Sequence, residues 1–162
     1  MSELAFLSPE RCSPGVALEA ALGDLDTGGV VTELDGLGKL EIRGERAALE
    51  RQLGEPLLPL GSGRALLVTA GAVGPAAERI VGLGHRVYDL SAALVALEFA
   101  GPALLQRLTP LPPRELPAAA PVAREVRALI EARPQGRFRV YVARELARFV
   151  AEVIVDLSRG LP

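Results

Sequence analysis

Gly38-Lys39-Leu40-Glu41-Ile42-Arg43-Gly44 decides the fold, because Leu40 and Ile42 alternate with Lys39, Glu41 and Arg43 in the two-residue period of a half-buried strand that stops at a glycine. The pattern returns as Leu97-Glu98-Phe99 followed by Gly101. A second pair of matching segments runs from Arg64 to Ala70 and from Arg137 to Ala143. Two matches in the same order predict an internal duplication. The expected fold class is α+β, with two βαββα units and antiparallel sheets. The first unit covers residues 30–86 and the second 87–162, in one compact body behind an N-terminal segment over 1–29.

Working outward, Val30-Val31-Thr32-Glu33-Leu34 is rich in β-branched residues, and with the strand above it predicts two short strands around the Asp35-Gly36 turn. Glu45 to Leu53 is dense in good helix formers and ends at Gly54, which can take the left-handed cap conformation. Leu57 to Leu60 and Ala65 to Ala70 read as a hairpin around Gly61-Ser62-Gly63, and a helix from about Pro75 to Leu83 stops at Gly84. The second half follows the same order. Val87 to Leu90 and Leu94 to Ala100 read as extended, and Gly101-Pro102 opens a helix whose apolar face comes from Ala103 to Leu108. Thr109 to Pro121 holds five prolines and is expected to be a crossover loop.

Val122 to Ala132 fits a helix and a strand alike, so periodicity alone does not decide it. The repeat places it as a strand in the position of Leu57 to Leu60, with Pro134-Gln135-Gly136 as its turn. Arg144 to Leu157 sets Leu146, Phe149, Val150, Val153, Ile154 and Leu157 at the spacing of one helical face, which predicts a central packing helix. At the N-terminus, Ser13-Pro14 suits the start of a short helix over Val16 to Leu22, and Asp24 to Gly29 reads as a loop.

With 162 residues, 49% of them hydrophobic, the chain can bury a core, and with 4% aromatic residues and no Trp that core must be Leu, Val and Ala. The same shortage removes the stacking platforms of single-strand nucleic-acid binders, and a net charge of −2 removes the basic footprint, so no nucleic-acid partner is expected. No apolar run reaches the length of a membrane span and no basic, then apolar, leader opens the chain, so neither membrane insertion nor export is expected. Cys12 is the only cysteine, which excludes an internal disulfide and leaves Cys12 and His85 as the sole soft metal ligands. A cytoplasmic location follows as the expectation.

Each candidate for chemistry has a plainer reading. Gly36-Leu37-Gly38-Lys39 and Gly61-Ser62-Gly63-Arg64 look like phosphate loops, yet neither opens a helix or carries the Ser or Thr a Walker loop needs, so turn glycines are the better reading. His85 is the one base for neutral pH, and its place at a helix end suits carbonyl capping. Cys12 beside Arg11 lacks a defined partner base. Asp89 and Glu98 are the best carboxylate pair, although a strand-end Asp ordinarily bonds local amides. Arg137 and Arg139 could bind an anion or simply lie solvated. No catalytic, cofactor-binding or metal residue is assigned.

Two segments carry a family resemblance. Val87-Tyr88-Asp89-Leu90-Ser91 with Glu98-Phe99-Ala100-Gly101-Pro102-Ala103 and Leu108 resembles the opening of the folate-binding domain of the glycine-cleavage T-protein superfamily. The layout from Arg11-Cys12-Ser13-Pro14 to Arg159, including Val31-Thr32-Glu33-Leu34 and Gly38 to Gly44, more closely resembles the gamma subunit of heterotetrameric sarcosine oxidase. The resemblance implies a fold like the T-protein N-terminal region, in a small subunit that carries no flavin, nicotinamide or folate. In that family the larger subunits oxidise sarcosine and pass the one-carbon unit to tetrahydrofolate, and gamma packs against alpha, so the resemblance implies chemistry in partner chains. The chain departs from the pattern twice. Thr109-Pro110-Leu111-Pro112 stands where the T-protein pattern has an Asn-Asp pair whose Asp contacts folate, and Leu66-Leu67-Val68-Thr69 stands near the gamma family's Trp-containing segment.

The expected function is therefore that of a non-catalytic small subunit of a sarcosine-oxidase-like complex. Its partners would be larger oxidase subunits, or further copies of itself, with tetrahydrofolate and flavin held by a partner. The alternative is a free-standing tetrahydrofolate- or amine-binding module. A small self-sufficient enzyme using Asp89, Glu98 or His85 comes third.

Overall fold

The structure, a computed structural model, describes residues 20–161. Arg11, Cys12, Ser13-Pro14 and most of the expected Val16 to Leu22 helix lie outside the described residues. The elements run β1 (Val31–Glu33), β2 (Leu37–Arg43), α1 (Arg46–Leu53), β3 (Leu58–Gly61), β4 (Arg64–Ala70), α2 (Gly74–Gly82), β5 (Val87–Asp89), β6 (Leu94–Ala100), α3 (Pro102–Leu108), β7 (Ala118–Val122), β8 (Val126–Arg133), β9 (Arg137–Ala143) and α4 (Arg144–Arg159). This is the α+β duplication with antiparallel sheets that the repeat predicts.

The strands form two sheets, ordered β3-β4-β2-β5 and β1-β6-β9-β8-β7. The first strand of each half therefore pairs in the other half's sheet. β1 lies on β6 with Val31 opposite Phe99, Thr32 opposite Glu98 and Glu33 opposite Leu97, and β5 lies on β2 with Val87, Tyr88 and Asp89 opposite Ile42, Glu41 and Leu40. The two registers are the same under the repeat. So are the hydrogen bonds at the strand ends: Gly44 N–H donates to Gly63 O and Gly101 N–H to Gly136 O, each at 3.0 Å. At the exchange points, Leu34 N–H donates to Ala96 O and Leu90 N–H to Lys39 O, each at 2.8 Å. The two strands read around Asp35-Gly36 are present, but they belong to different sheets.

Alternation along each strand sends one set of side chains to a helical layer and the other to the opposite sheet. Leu40, Ile42, Ala65 and Leu67 pack under α1 and α2 with Leu49, Leu53 and Ile80, and Leu97, Phe99, Ile130, Val140 and Val142 pack under α3 and α4. Between the sheets lie Leu66, Ala96, Leu129 and Tyr141, flanked by Leu34, Leu58, Val68 and Leu90. The layers run helix, sheet, sheet, helix. Because both faces of each sheet are covered, the half-buried pattern read from Lys39 and Glu41 needs correction: both are buried, each 4% exposed.

Two further expectations change. The proline-rich segment does not remain a loop to Pro121, since Ala118–Val122 pairs with β8 as an edge strand, a place in a sheet that tolerates Pro121. In α4 the buried stripe is Ala147, Val150, Ala151, Ile154 and Val155, whereas Leu146 and Phe149 are exposed. Alanines carry a weak hydrophobic signal, so the large side chains drew the expected face to one side of the true one. Val122 to Ala132 resolves as the β7–β8 turn and strand β8, as the repeat predicts over the ambiguous periodicity.

Gly38 has a mechanical role that rules a phosphate loop unnecessary. A Cβ there would sit 2.2 Å from Thr69 Oγ1, 2.4 Å from Val73 Cγ1 and 2.6 Å from Gly71 O, so the β4–α2 connection crosses directly over the strand. Glu45 caps α1, its carboxylate accepting from the N–H groups of Ala47 and Ala48 at 2.9 and 2.7 Å. Among the described residues no helix is long and apolar enough to cross a membrane.

Candidate functional site

The duplication places one glutamate at the same point of each central strand and one arginine at the start of each hairpin return, and it makes them partners. In the first half Arg64 holds Glu41 with two hydrogen bonds, Nε to Oε1 at 2.9 Å and Nη2 to Oε2 at 2.6 Å. Arg43 adds a contact to Oε1 at 2.8 Å and lies over the Tyr88 ring, 5.5 Å from its centre. In the second half Arg137 donates from Nη2 to Glu98 Oε1, and Arg139 donates from Nη2 to Glu98 Oε2 at 3.1 Å. Arg139 also approaches Glu131, which accepts a 2.9 Å hydrogen bond from the Tyr141 hydroxyl.

These pairs set the charges. The Arg64 hydrogen bonds hold the Glu41 carboxyl below the usual carboxylate range against the opposing effect of burial. Burial pushes Glu98 upward, and the bonds from Arg137 and Arg139 outweigh it, so Glu98 too is held low and ionised. Burial drives the Tyr141 hydroxyl well above its ordinary value, leaving it a neutral donor to Glu131. Arg139 Nε is buried with no hydrogen-bond partner among the described residues.

The other named residues are dispersed. His85 lies at the α2–β5 connection and contacts Gln52 Oε1 through Nε2 at 2.6 Å on the exposed surface. Asp89 accepts the Ser91 N–H at 2.8 Å, the local amide bond that a strand-end Asp favours. Ser91 in turn accepts Lys39 N–H at 2.9 Å through Oγ and the Lys39 ammonium at 3.3 Å through its carbonyl, while Leu37 O accepts the ammonium at 2.9 Å. Burial holds that ammonium below the usual lysine range, and Arg144 adds to the effect. Asp89 and Glu98 sit in different sheets, and Asp89, Glu98 and His85 each bond other partners, Ser91, Arg137 with Arg139, and Gln52. Among the described residues no cluster of three or more His, Cys, Asp and Glu could hold a metal.

Two shallow open hollows flank the Glu98–Arg137 pair. On one side an open hollow of about 380 Å³ is walled by Thr32, Leu34, Phe99 and Ala100, and on the other a hollow of about 220 Å³ reaches Arg133, Gln135 and Arg139. Arg137 borders both, its side chain half exposed. The sequence singles out Glu98, Arg137 and Arg139 without pairing them, and it shows Glu41 only as a strand residue and Arg64 only beside a glycine turn, although the repeat aligns both with their counterparts. The missed signal was a charge matched at two duplicated positions at once.

The sequence matches no protein-family profile and no curated protein. Among solved structures it is similar to a chain of the heterotetrameric sarcosine oxidase from Corynebacterium sp. U-96 in complex with pyrrole 2-carboxylate, with a TM-score of 0.66 and 21% identity over 80% of this chain and 83% of that one. A weaker likeness, TM-score 0.47 and 12% identity over 78% of this chain and 93% of the other, is to a putative C-terminal regulatory domain of aspartate kinase from Porphyromonas gingivalis W83. The first likeness is one of fold, spread over most of both chains.

Proposed function

We propose that this chain is a non-catalytic subunit of a larger oxidase-type complex, related to heterotetrameric sarcosine oxidase and corresponding to its gamma subunit. The observation that carries the reading is the fold shared with a chain of such a complex over 80% of the length, in a protein whose buried glutamates are paired with arginines. Glu41 and Glu98 are occupied by arginines and held ionised, which suits a scaffold and ill suits a proton shuttle near neutral pH. Flavin and tetrahydrofolate chemistry would then belong to the partner chains, and this chain would contribute contact surface.

Copurification under native conditions tests the reading. Coexpression with a candidate flavoprotein chain should yield a single complex that carries flavin absorbance and contains this chain in fixed ratio. Elution of this chain by itself, from the source cells as well as from coexpression, would contradict it. The tetrahydrofolate-module alternative relies on the Asp89-Leu90-Ser91 segment, whose polar groups are engaged with each other and with Lys39. That engagement favours the subunit reading.

A further inference from the structure

Two neighbouring rows of side chains on one face of the second sheet balance their charges differently. Glu98, Arg139 and Glu131 stand side by side across β6, β9 and β8, so two carboxylates flank one guanidinium. The next row, toward the β8–β9 turn, is Ala100, Arg137 and Arg133. Arg137 and Arg133 are directly opposed, which sets two positive charges on one face with nothing negative in their row. They reach back to different glutamates, Arg137 to Glu98 and Arg133 to Glu131, the second at 2.9 Å. Three guanidiniums thus meet two carboxylates, and one positive charge is left over within the cluster.

The first half shows what an opposed pair of this kind can hold. Arg43 and Arg64 face each other across β2 and β4, and both close on one oxygen, Glu41 Oε1, at 2.8 and 2.9 Å. Under the repeat, Leu66 and Leu58 stand at the places of Arg139 and Glu131, so no third guanidinium competes for Glu41 there. In the second half Arg139 takes one oxygen of Glu98 and approaches Glu131, and Arg137 and Arg133 share no carboxylate among the described residues. The hollow of about 220 Å³ lies beside them, lined by Arg133, Arg137 and Arg139 with Glu98, Pro134 and Gln135. The Arg133 and Arg137 side chains are 40% and 50% exposed, so both guanidiniums are open to a ligand from solution.

We infer that this hollow binds a carboxylate, seated between the Arg133 and Arg137 guanidiniums as Glu41 is seated between those of Arg43 and Arg64. A planar guanidinium matches a carboxylate with two parallel hydrogen bonds, and the bound anion would cancel the charge that the row leaves over. The hollow is smaller than the roughly 300–1,000 Å³ of sites for drug-sized ligands, which suits a single carboxylate group, free in solution or carried on an acidic side chain of another chain. The site stands on these side chains and not on the subunit reading.

The test titrates acetate, with acetamide as its uncharged isostere, into the full chain at constant ionic strength and reads amide chemical shifts. Acetate should shift Gln135, Gly136 and Arg137 saturably with a millimolar dissociation constant, and acetamide should not. Arg133→Gln, which leaves Arg137 and Arg139 on Glu98, should weaken acetate roughly tenfold, the scale of one lost charge-assisted contact. Arg133→Lys keeps the charge without the planar fork; it should weaken acetate by less, and it covers the case in which the glutamine variant does not fold. Arg51→Gln removes the same charge from an exposed position on α1 and should change nothing. N-acetyl-aspartic acid α-amide, against N-acetyl-asparaginamide, repeats the comparison for a side-chain carboxylate, and the tighter of the two carboxylates assigns the source. No saturable shift, equal binding of acetate and acetamide, or equal weakening by Arg133→Gln and Arg51→Gln overturns the inference. Failure to copurify with a flavoprotein would remove the subunit reading and leave this site in place.

Discussion

Glu41 and Glu98 occupy the same place in the two halves and live in different surroundings. Glu41 is held by Arg64 and Arg43, whose side chains are 42% and 50% exposed, so water shares the work of satisfying that cluster. Glu98 is held by Arg137 and by Arg139, and Arg139 is only 13% exposed, with Tyr141 and Glu131 on its other side. The duplication fixed the position of the carboxylate; the neighbours decided whether its partners can fall back on solvent. Two copies of one unit thus set the same carboxylate once among arginines that share their charge with water and once beside a buried arginine.

Removing each carboxylate measures that difference. Glu98→Ala removes the shorter of the two carboxylate contacts of the buried Arg139 guanidinium, leaving it Glu131, and should cost about 3 kcal/mol of unfolding free energy in a denaturant titration, the lower end for broken buried pairs. Gly38→Ala comes next, at about 1–3 kcal/mol, because the new methyl group would press on Thr69, Val73 and the Gly71 carbonyl. The equivalent position of the second half is Val95, which fits because β9 passes directly into α4 with no connection folding back over the strand. Glu41→Ala, whose arginines can turn to water, should cost roughly 1–2 kcal/mol. Equal losses at Glu41 and Glu98 would show that the surroundings do not matter.

Acid sharpens the comparison. Both carboxyls are held below the ordinary value of 4.5, so the unfolded chain binds protons more readily than the folded one below that pH. The stability they contribute is complete above about pH 4.5 and drains away as the pH falls through the lower folded-state values. Unfolding curves measured stepwise through that range should lose stability less steeply in Glu98→Gln than in the parent chain. The smallest effect belongs to the exposed flank of α4, where Phe149→Ser should change stability by no more than about 0.5 kcal/mol, against several for Val150→Asp on the adjoining buried face.

Much of this architecture is legible in the sequence, since periodicity locates strands and helices and the matched segments reveal the duplication. β9 and the span of α4 follow from alternation and helical spacing because each element writes its own pattern locally. The exchange of β1 and β5 does not, because a three-residue strand has the same composition whichever sheet it joins. The burial of Lys39 and Glu41 is hidden for a related reason: the face that reads as polar is covered by a second sheet, where Arg64 satisfies Glu41 and the Leu37 and Ser91 carbonyls accept from the Lys39 ammonium. Of the candidate site, the residues Glu98, Arg137 and Arg139 were visible, and their mutual pairing was not, since it depends on which strand lies beside which.

The exchange itself is open to direct measurement by cross-strand nuclear Overhauser contacts between α-protons. The account predicts contacts from Val31 to Phe99 and from Glu33 to Leu97, matched by contacts from Val87 to Ile42 and from Asp89 to Leu40. Contacts running instead from residues 31–33 to 37–43, as in a simple hairpin around Asp35-Gly36, would contradict it.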